Sequence, residues 1–183
     1  MRVIKVGGSL EQTGALKSCL QRVVRQNQKK IVIVPGGGGF ADQVRRAQQR
    51  WGFDDACAHH MAILAMQQMA LLFQALTPPL QTASSIAEIR LVLASHANVV
   101  WSPDITDLNS AGIEANWDVT SDSLAAWLAS ELGAEELILI KSTFIPANTS
   151  VNELADKGIV DKAFVQFIEN AFYKTTIIDQ ALV

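Results

Sequence analysis

The chain has 183 residues, 49% of them apolar, with 15 basic and 18 acidic side chains and a formal net charge of −3. This is enough for one domain with a sizeable core, and it excludes a basic footprint for nucleic acid, since Lys29-Lys30 and Arg45-Arg46 are isolated pairs. Cys19 and Cys57 lack metal or disulfide spacing and fall on apolar helical positions, so both are expected to be small core residues in a reducing compartment.

Residues 2–6 read as an apolar strand, followed by a helix over about 14–27 whose Leu16, Cys19, Leu20, Val23 and Val24 repeat at helical spacing. A second strand, 31–34, is apolar without alternation, as in a parallel strand covered on both faces. A helix then runs to about Arg50, and a long one covers 54–76 until Pro78-Pro79 stops it. Met61–Leu76 is interrupted by Gln67, Gln68 and Gln74 and falls short of the ~20 residues that span a bilayer. The first ten residues carry two cations and two glycines, so no signal peptide is expected there. No membrane partner and a cytoplasmic location are therefore expected.

Ser85–Glu88 is a capping-box pattern that opens a helix to about Ser95. Val99–Trp101 reads as a strand and residues 102–117 as loop. A helix over 122–132 is closed by Gly133, and Leu137–Ile140 is another strand. Ser150–Glu153 is a second capping box, opening a short helix that ends at Gly158; a helix from Lys162 to about Phe172 and a strand at 175–179 follow. This alternation predicts an α/β fold: a three-layer α/β/α sandwich on a mostly parallel sheet, as one domain over 1–183.

Two strand ends carry glycine clusters. Val6 runs into Gly7-Gly8-Ser9, and Val34 into Pro35 and then Gly36 to Gly39. Glycines at a strand end let backbone N–H groups approach an anion, and Lys5 beside the first cluster points to phosphate handling. Gly36-x-Gly38-x-x-Ala41 also fits the dinucleotide fingerprint, with Asp54 and Asp55 at the distance of its acidic partner but opening a helix. Asp118 and Asp122 read equally as helix-start acids or as site carboxylates, and Lys141 as a crevice lysine or a solvated strand-end cation. His59 and His60 point about 100° apart on a helix, which fits one packed and one polar-face imidazole rather than a metal pair. The apolar residues of 54–76 exceed one stripe, so a homodimer or higher homo-oligomer is expected.

Lys5-x-Gly7-Gly8-Ser9, then Pro35 to Gly38, then Thr120-Ser-Asp-Ser-Leu-Ala-Ala126 ahead of Leu132-Gly-Ala134, resembles the amino acid kinase superfamily in motif order and spacing from residue 2 to about 142. Ala58–Met66 and Trp117–Asp122 look most like its short aminomethylfuran phosphate kinase-like branch, which serves methanofuran biosynthesis. The resemblance implies transfer of the γ-phosphoryl group of Mg-ATP to a small anionic metabolite. It also implies roles. Lys5 would neutralise the transferring phosphoryl, Gly7, Gly8 and Ser9 would contact ATP phosphates, and Gly36, Gly37 and Gly38 would hold the acceptor. Asp122 would orient Lys5 and a second lysine, for which Lys141, Lys157 and Lys162 compete. On this basis Lys141 is a catalytic candidate, Lys141, Ser142 and Lys157 are candidate nucleotide contacts, Asp118 and Ser121 are candidate acceptor contacts, and no metal-ligating side chains are expected.

The sequence departs from that family after the strand at 137–140, where Lys141-Ser-Thr-Phe-Ile-Pro146 stands in place of the usual Thr/Ser-Asp-x-x-Gly run and the nucleotide-binding part is shortened. An alternative is therefore a non-catalytic member that binds a phosphorylated metabolite or a partner subunit. A third reading, from the fingerprint, is an NAD-binding oxidoreductase.

Overall fold

A computed structural model describes residues 1–27, 29–95 and 97–182. Strand β1 (Arg2–Val6) leads through a 3-10 turn at Gly8–Leu10 to helix α1 (Leu16–Gln26) and strand β2 (Ile31–Pro35). Helices α2 (Gly38–Trp51) and α3 (Asp55–Leu76) follow, then β3 (Leu80–Ala83), α4 (Ile86–Ala94), β4 (Asn98–Trp101) and α5 (Ile105–Ser110). The chain continues through α6 (Ser121–Leu132), β5 (Glu136–Lys141), α7 (Val151–Asp156), α8 (Phe164–Ile168), β6 (Lys174–Asp179) and a 3-10 turn at Gln180–Leu182.

Among the described residues the strands form one sheet of order β3-β4-β2-β1-β5-β6, with every pairing parallel. The last strand, β6, pairs with β5 at the edge of the sheet.

Side chains alternate across a strand, and here that parity decides where the lysines go. Val3, Val32, Val34, Leu137 and Leu139 enter the core shared with α6 and α8. Ile4, Val6, Ile31, Ile33 and Ile140 enter the opposite core, shared with α1. Lys5 lies two residues beyond Val3, and Lys141 two beyond Leu139, so both fall on the α6 face near the carboxyl ends of neighbouring strands.

Local signals end the helices as expected. Gly133 is left-handed at φ +64° after α6, and Ser150 and Glu153 form both bonds of a capping box before α7. Helix α3 is apolar enough by composition to cross a bilayer (mean hydropathy 1.2), but 44% of that stretch is buried within the protein. It packs on α1, α2 and strands β2, β3 and β4, and feeds Ile63 and Met66 to one core and Met69, Ala70 and Phe73 to the other. Met61, Leu64 and Leu71 remain exposed on it.

One element is additional to the expectations and three expectations are corrected. The edge strand β3 adds a member to the sheet; only Leu80 and Ala83 of its four residues are buried, so its apolar signal is faint. Residues 102–117 are not all loop, because the Asp104 side chain accepts the Thr106 N–H at 2.7 Å and caps α5. Helix α8 covers only Phe164–Ile168, not 162–172. Cys19 is buried, but Cys57 lies exposed in the first turn of α3.

The glycine clusters pack against each other. A Cβ on Gly8 would lie 2.2 Å from the Gly38 nitrogen, and one on Gly36 would lie 2.5 Å from the Gly8 nitrogen. Gly36 N–H donates to Val6 O at 3.0 Å and Gly7 N–H to Ile140 O at 2.9 Å, which stitches the ends of β1, β2 and β5 together. Gly38 also sits at φ +55°, where a side chain is strained. Gly8→Ala must push the two backbones apart and should lower unfolding stability in urea by about 2 kcal/mol or more. Gly39→Ala, whose Cβ would meet only the movable Glu11 carboxylate at 3.2 Å, should cost less than about 0.5 kcal/mol. Equal losses would contradict the backbone junction.

Candidate phosphoryl-transfer site

A cavity of about 570 Å³ opens at the carboxyl ends of β1, β2 and β5. At its floor Asp122, in the first turn of α6, bridges two ammonium groups: Lys5 Nζ is 2.8 Å from Oδ1, and Lys141 Nζ donates to Oδ2 at 2.5 Å. The side chains of Lys5 and Asp122 are 6% and 3% exposed, so these charges act in a poorly screened interior. Burial pushes the Asp122 carboxyl up, but the two lysines outweigh it and hold it down at about 2. Burial likewise pushes Lys5 down, and Asp122 more than restores it, leaving it above the ordinary lysine value. Burial and then the like charge of Lys5 bring Lys141 down to about 8.

Gly8 and Ser9 line one arm of the cavity, and Gly36, Gly37 and Gly38 line the other. The glycine junction fixes the separation of these arms. Ser121 and Asp118 also line the cavity; Ser121 is buried, whereas Asp118 is exposed and 3.4 Å from Lys162. Gly7 is buried beneath the junction rather than in the wall. Ser142 lies outside the lining, its hydroxyl 2.7 Å from that of Ser9. Lys157 is exposed at the end of α7 and does not join the cluster, and Lys162 is 78% exposed, so Lys141 is the lysine that the fold places opposite Lys5.

Several residues of the wall carry no motif of their own. Arg45 stacks over the Trp117 ring at 4.2 Å, while the Trp117 indole donates to Gln48 Oε1 at 2.6 Å. His59 is buried at the wall and His60 exposed, and burial holds the His59 imidazole below its ordinary value. Asp161 accepts the N–H groups of Thr120, Asp122 and Ser123 at 3.0, 3.1 and 2.9 Å. Its position beside Phe164, whose N–H donates to Asp161 O, reads in the sequence as an ordinary helix start. Among the described residues no three His, Cys, Asp or Glu side chains come together to hold a metal ion. Asp54 accepts the Cys57 N–H at 2.8 Å as the cap of α3, and so does not sit at a strand end where a dinucleotide ribose would need it.

Two buried ammoniums on one carboxylate, set between glycine-lined arms, are an arrangement with the charge to hold a small polyanion. The chain is 27% identical over 140 residues to [5-(aminomethyl)furan-3-yl]methyl phosphate kinase of Methanocaldococcus jannaschii, covering 76% of this chain and 64% of that protein. It is 26% identical to acetylglutamate kinase of Colwellia psychrerythraea, covering 87% and 58%. The chain thus spans about three fifths of the length of these curated relatives. The crystal structure of uridylate kinase from Archaeoglobus fulgidus shares the fold, with TM-score 0.70, 19% identity, and coverage of 97% of this chain and 89% of that one. The sequence profile of the amino acid kinase family matches residues 1–143, and the chain belongs to that family.

Proposed function

We propose that this chain is a small-molecule kinase that transfers the γ-phosphoryl group of ATP to a small anionic metabolite, a phosphate monoester in methanofuran-type cofactor biosynthesis being the acceptor class that its relatives support best. The observation that carries this reading is the Lys5–Asp122–Lys141 bridge at the junction of the two glycine arms. Family membership supports the nucleotide, and the named relative supports a phosphate acceptor.

In this reading an acceptor oxygen attacks the γ-phosphorus in line, the new O–P bond forms, and the bond to the β–γ bridging oxygen breaks, with its electron pair leaving on ADP. Lys5 and Lys141 meet the charge on the transferring group, and Asp122 fixes their separation. Gly8 and Ser9, with Gly7 behind them and Ser142 beside them, serve the nucleotide phosphates. Gly36 to Gly38, Ser121 and Asp118 serve the acceptor, with the Arg45–Trp117 pair at that end of the wall. A phosphate acceptor is already anionic near neutral pH, so no general base is required. Mg²⁺ would arrive on the ATP phosphates and neutralise part of their charge.

The departure after Lys141 favours one second reading, a member that binds a phosphorylated metabolite without turning over ATP. Calorimetry separates the two. Mg-ATP should bind at millimolar concentration or below and much more weakly to Lys5→Ala. Lys5→Ala and Lys141→Ala should each lower kcat at least ~100-fold with any accepted monoester. No ATP binding by the wild type would support the second reading, and NADH binding in its place would support an oxidoreductase.

The same bridge predicts a pH dependence of stability. The Asp122 pKa is depressed in the folded state, so its contribution is full above 3.8 and disappears as pH falls toward about 2. The stability gap between wild type and Asp122→Asn should therefore shrink by about 2 kcal/mol between pH 5 and pH 2, read by urea unfolding. A gap that does not change with pH would contradict the bridge.

A further inference from the structure

Helix α6 begins without a side-chain cap of its own. Its N-cap residue, Thr120, makes no capping bond to the first turn and instead gives its hydroxyl to Asp161. The orphan N–H groups of that turn are met from outside the helix: one Asp161 oxygen, Oδ2, accepts from the backbone of Thr120, Asp122 and Ser123. The attachment also runs in reverse, because the N–H of Asp161 donates to Asp122 Oδ2 at 3.3 Å, the oxygen that Lys141 uses. The turn after α7 and the first turn of α6 thus hold each other by a carboxylate-to-backbone bond in each direction.

The charges point the same way. Lys5 on β1 and Lys141 on β5 bring two positive charges, and Asp122 on α6 brings one negative, leaving one positive charge in excess. Asp161, in the turn before α8, brings a second carboxyl group to the cluster, and when ionised it balances that charge. Burial and then the charge of Asp122 push its own carboxyl above the ordinary value, while Lys5 opposes that. The other ionisable groups on the cavity wall are Asp42 and Arg45 of α2, His59 of α3, Asp156 of α7, and the exposed pair Asp118 and Lys162.

We infer that Asp161 is a positioning residue of the phosphoryl site: it fixes the first turn of α6 so that Asp122 reaches both lysines, and its charge keeps Lys141 an ammonium at neutral pH. The consequence for turnover rests on the kinase reading; the consequence for Lys141 does not.

The test is an NMR titration of the lysine side-chain ¹³Cε resonances in the full chain, with Lys141 assigned from Lys141→Arg. Asp161→Asn keeps one oxygen to accept the backbone N–H groups, removes the charge, and puts an amide NH2 where Oδ1 accepts the Thr120 hydroxyl. In that variant the Lys141 midpoint should fall by about one pH unit. The alkaline limb of the kcat–pH profile should move down with it, and Asp161→Glu should recover part of the shift. A lower melting temperature with an unchanged Lys141 midpoint would make Asp161 a structural cap only and overturn the inference. If Asp161→Asn does not fold, the wild type decides: the Asp161 ¹³Cγ resonance should read an ionised carboxylate throughout pH 6–9, and a protonated acid there would overturn it. A shifted midpoint in a protein that phosphorylates no monoester would uphold the inference and reject the kinase reading.

Discussion

The site depends on one carboxylate shared by two ammonium groups. Removing three charges from water is costly, and only close pairing with good hydrogen bonds offsets that cost. Asp122 pairs closely with both, as an ion pair 2.8 Å from Lys5 and through a hydrogen bond of 2.5 Å from Lys141, and its Oδ2 also accepts the Asp161 N–H. Such a cluster is a weak means of stabilising a core but a good means of holding two cations at a fixed spacing. With both oxygens of Asp122 engaged, each lysine still has N–H donors left for an incoming anion.

Two features of the backbone make that arrangement possible. Parity along β1 and β5 sends Lys5 and Lys141 to one face of a parallel sheet, where α6 lies with its first turn over them. The strand ends are then locked by glycines whose missing side chains admit a neighbouring backbone. In the sequence the glycine clusters read as cradles for an anion. In the fold, Gly8 is required chiefly by the Gly38 backbone and Gly36 by that of Gly8, and any phosphate they meet lies across a junction of fixed width. Fixed width matters for in-line transfer, where a displacement of about 1 Å is costly.

Much of this was legible in the sequence because local and global signals agreed. Apolar runs without alternation marked β1, β2 and β5, and capping boxes and Gly133 marked helix ends. Lys5, Asp122 and the glycines stood in a motif order specific enough to name the family. Other parts were not legible, for identifiable reasons. Leu80–Ala83 is an edge strand with little apolar content, and α5 depends on one Asp104 cap inside a loop-like composition. Lys141, Lys157 and Lys162 are indistinguishable without strand register, which puts only Lys141 against Asp122. Asp161 is hidden because its partners lie about 40 positions away in sequence, while its neighbours make it look like an ordinary helix-start acid. Cys57 is misplaced by a spacing rule that cannot tell which face of α3 is covered.

The most direct measurement is a crystal structure of the full chain with Mg²⁺ and a non-hydrolysable ATP analogue. The γ-phosphorus should lie between the Nζ atoms of Lys5 and Lys141, with the β-phosphate against Gly8 and Ser9 and the Gly36–Gly38 arm open for the acceptor. A triphosphate bound elsewhere, with the Lys5–Asp122–Lys141 bridge untouched, would contradict that placement.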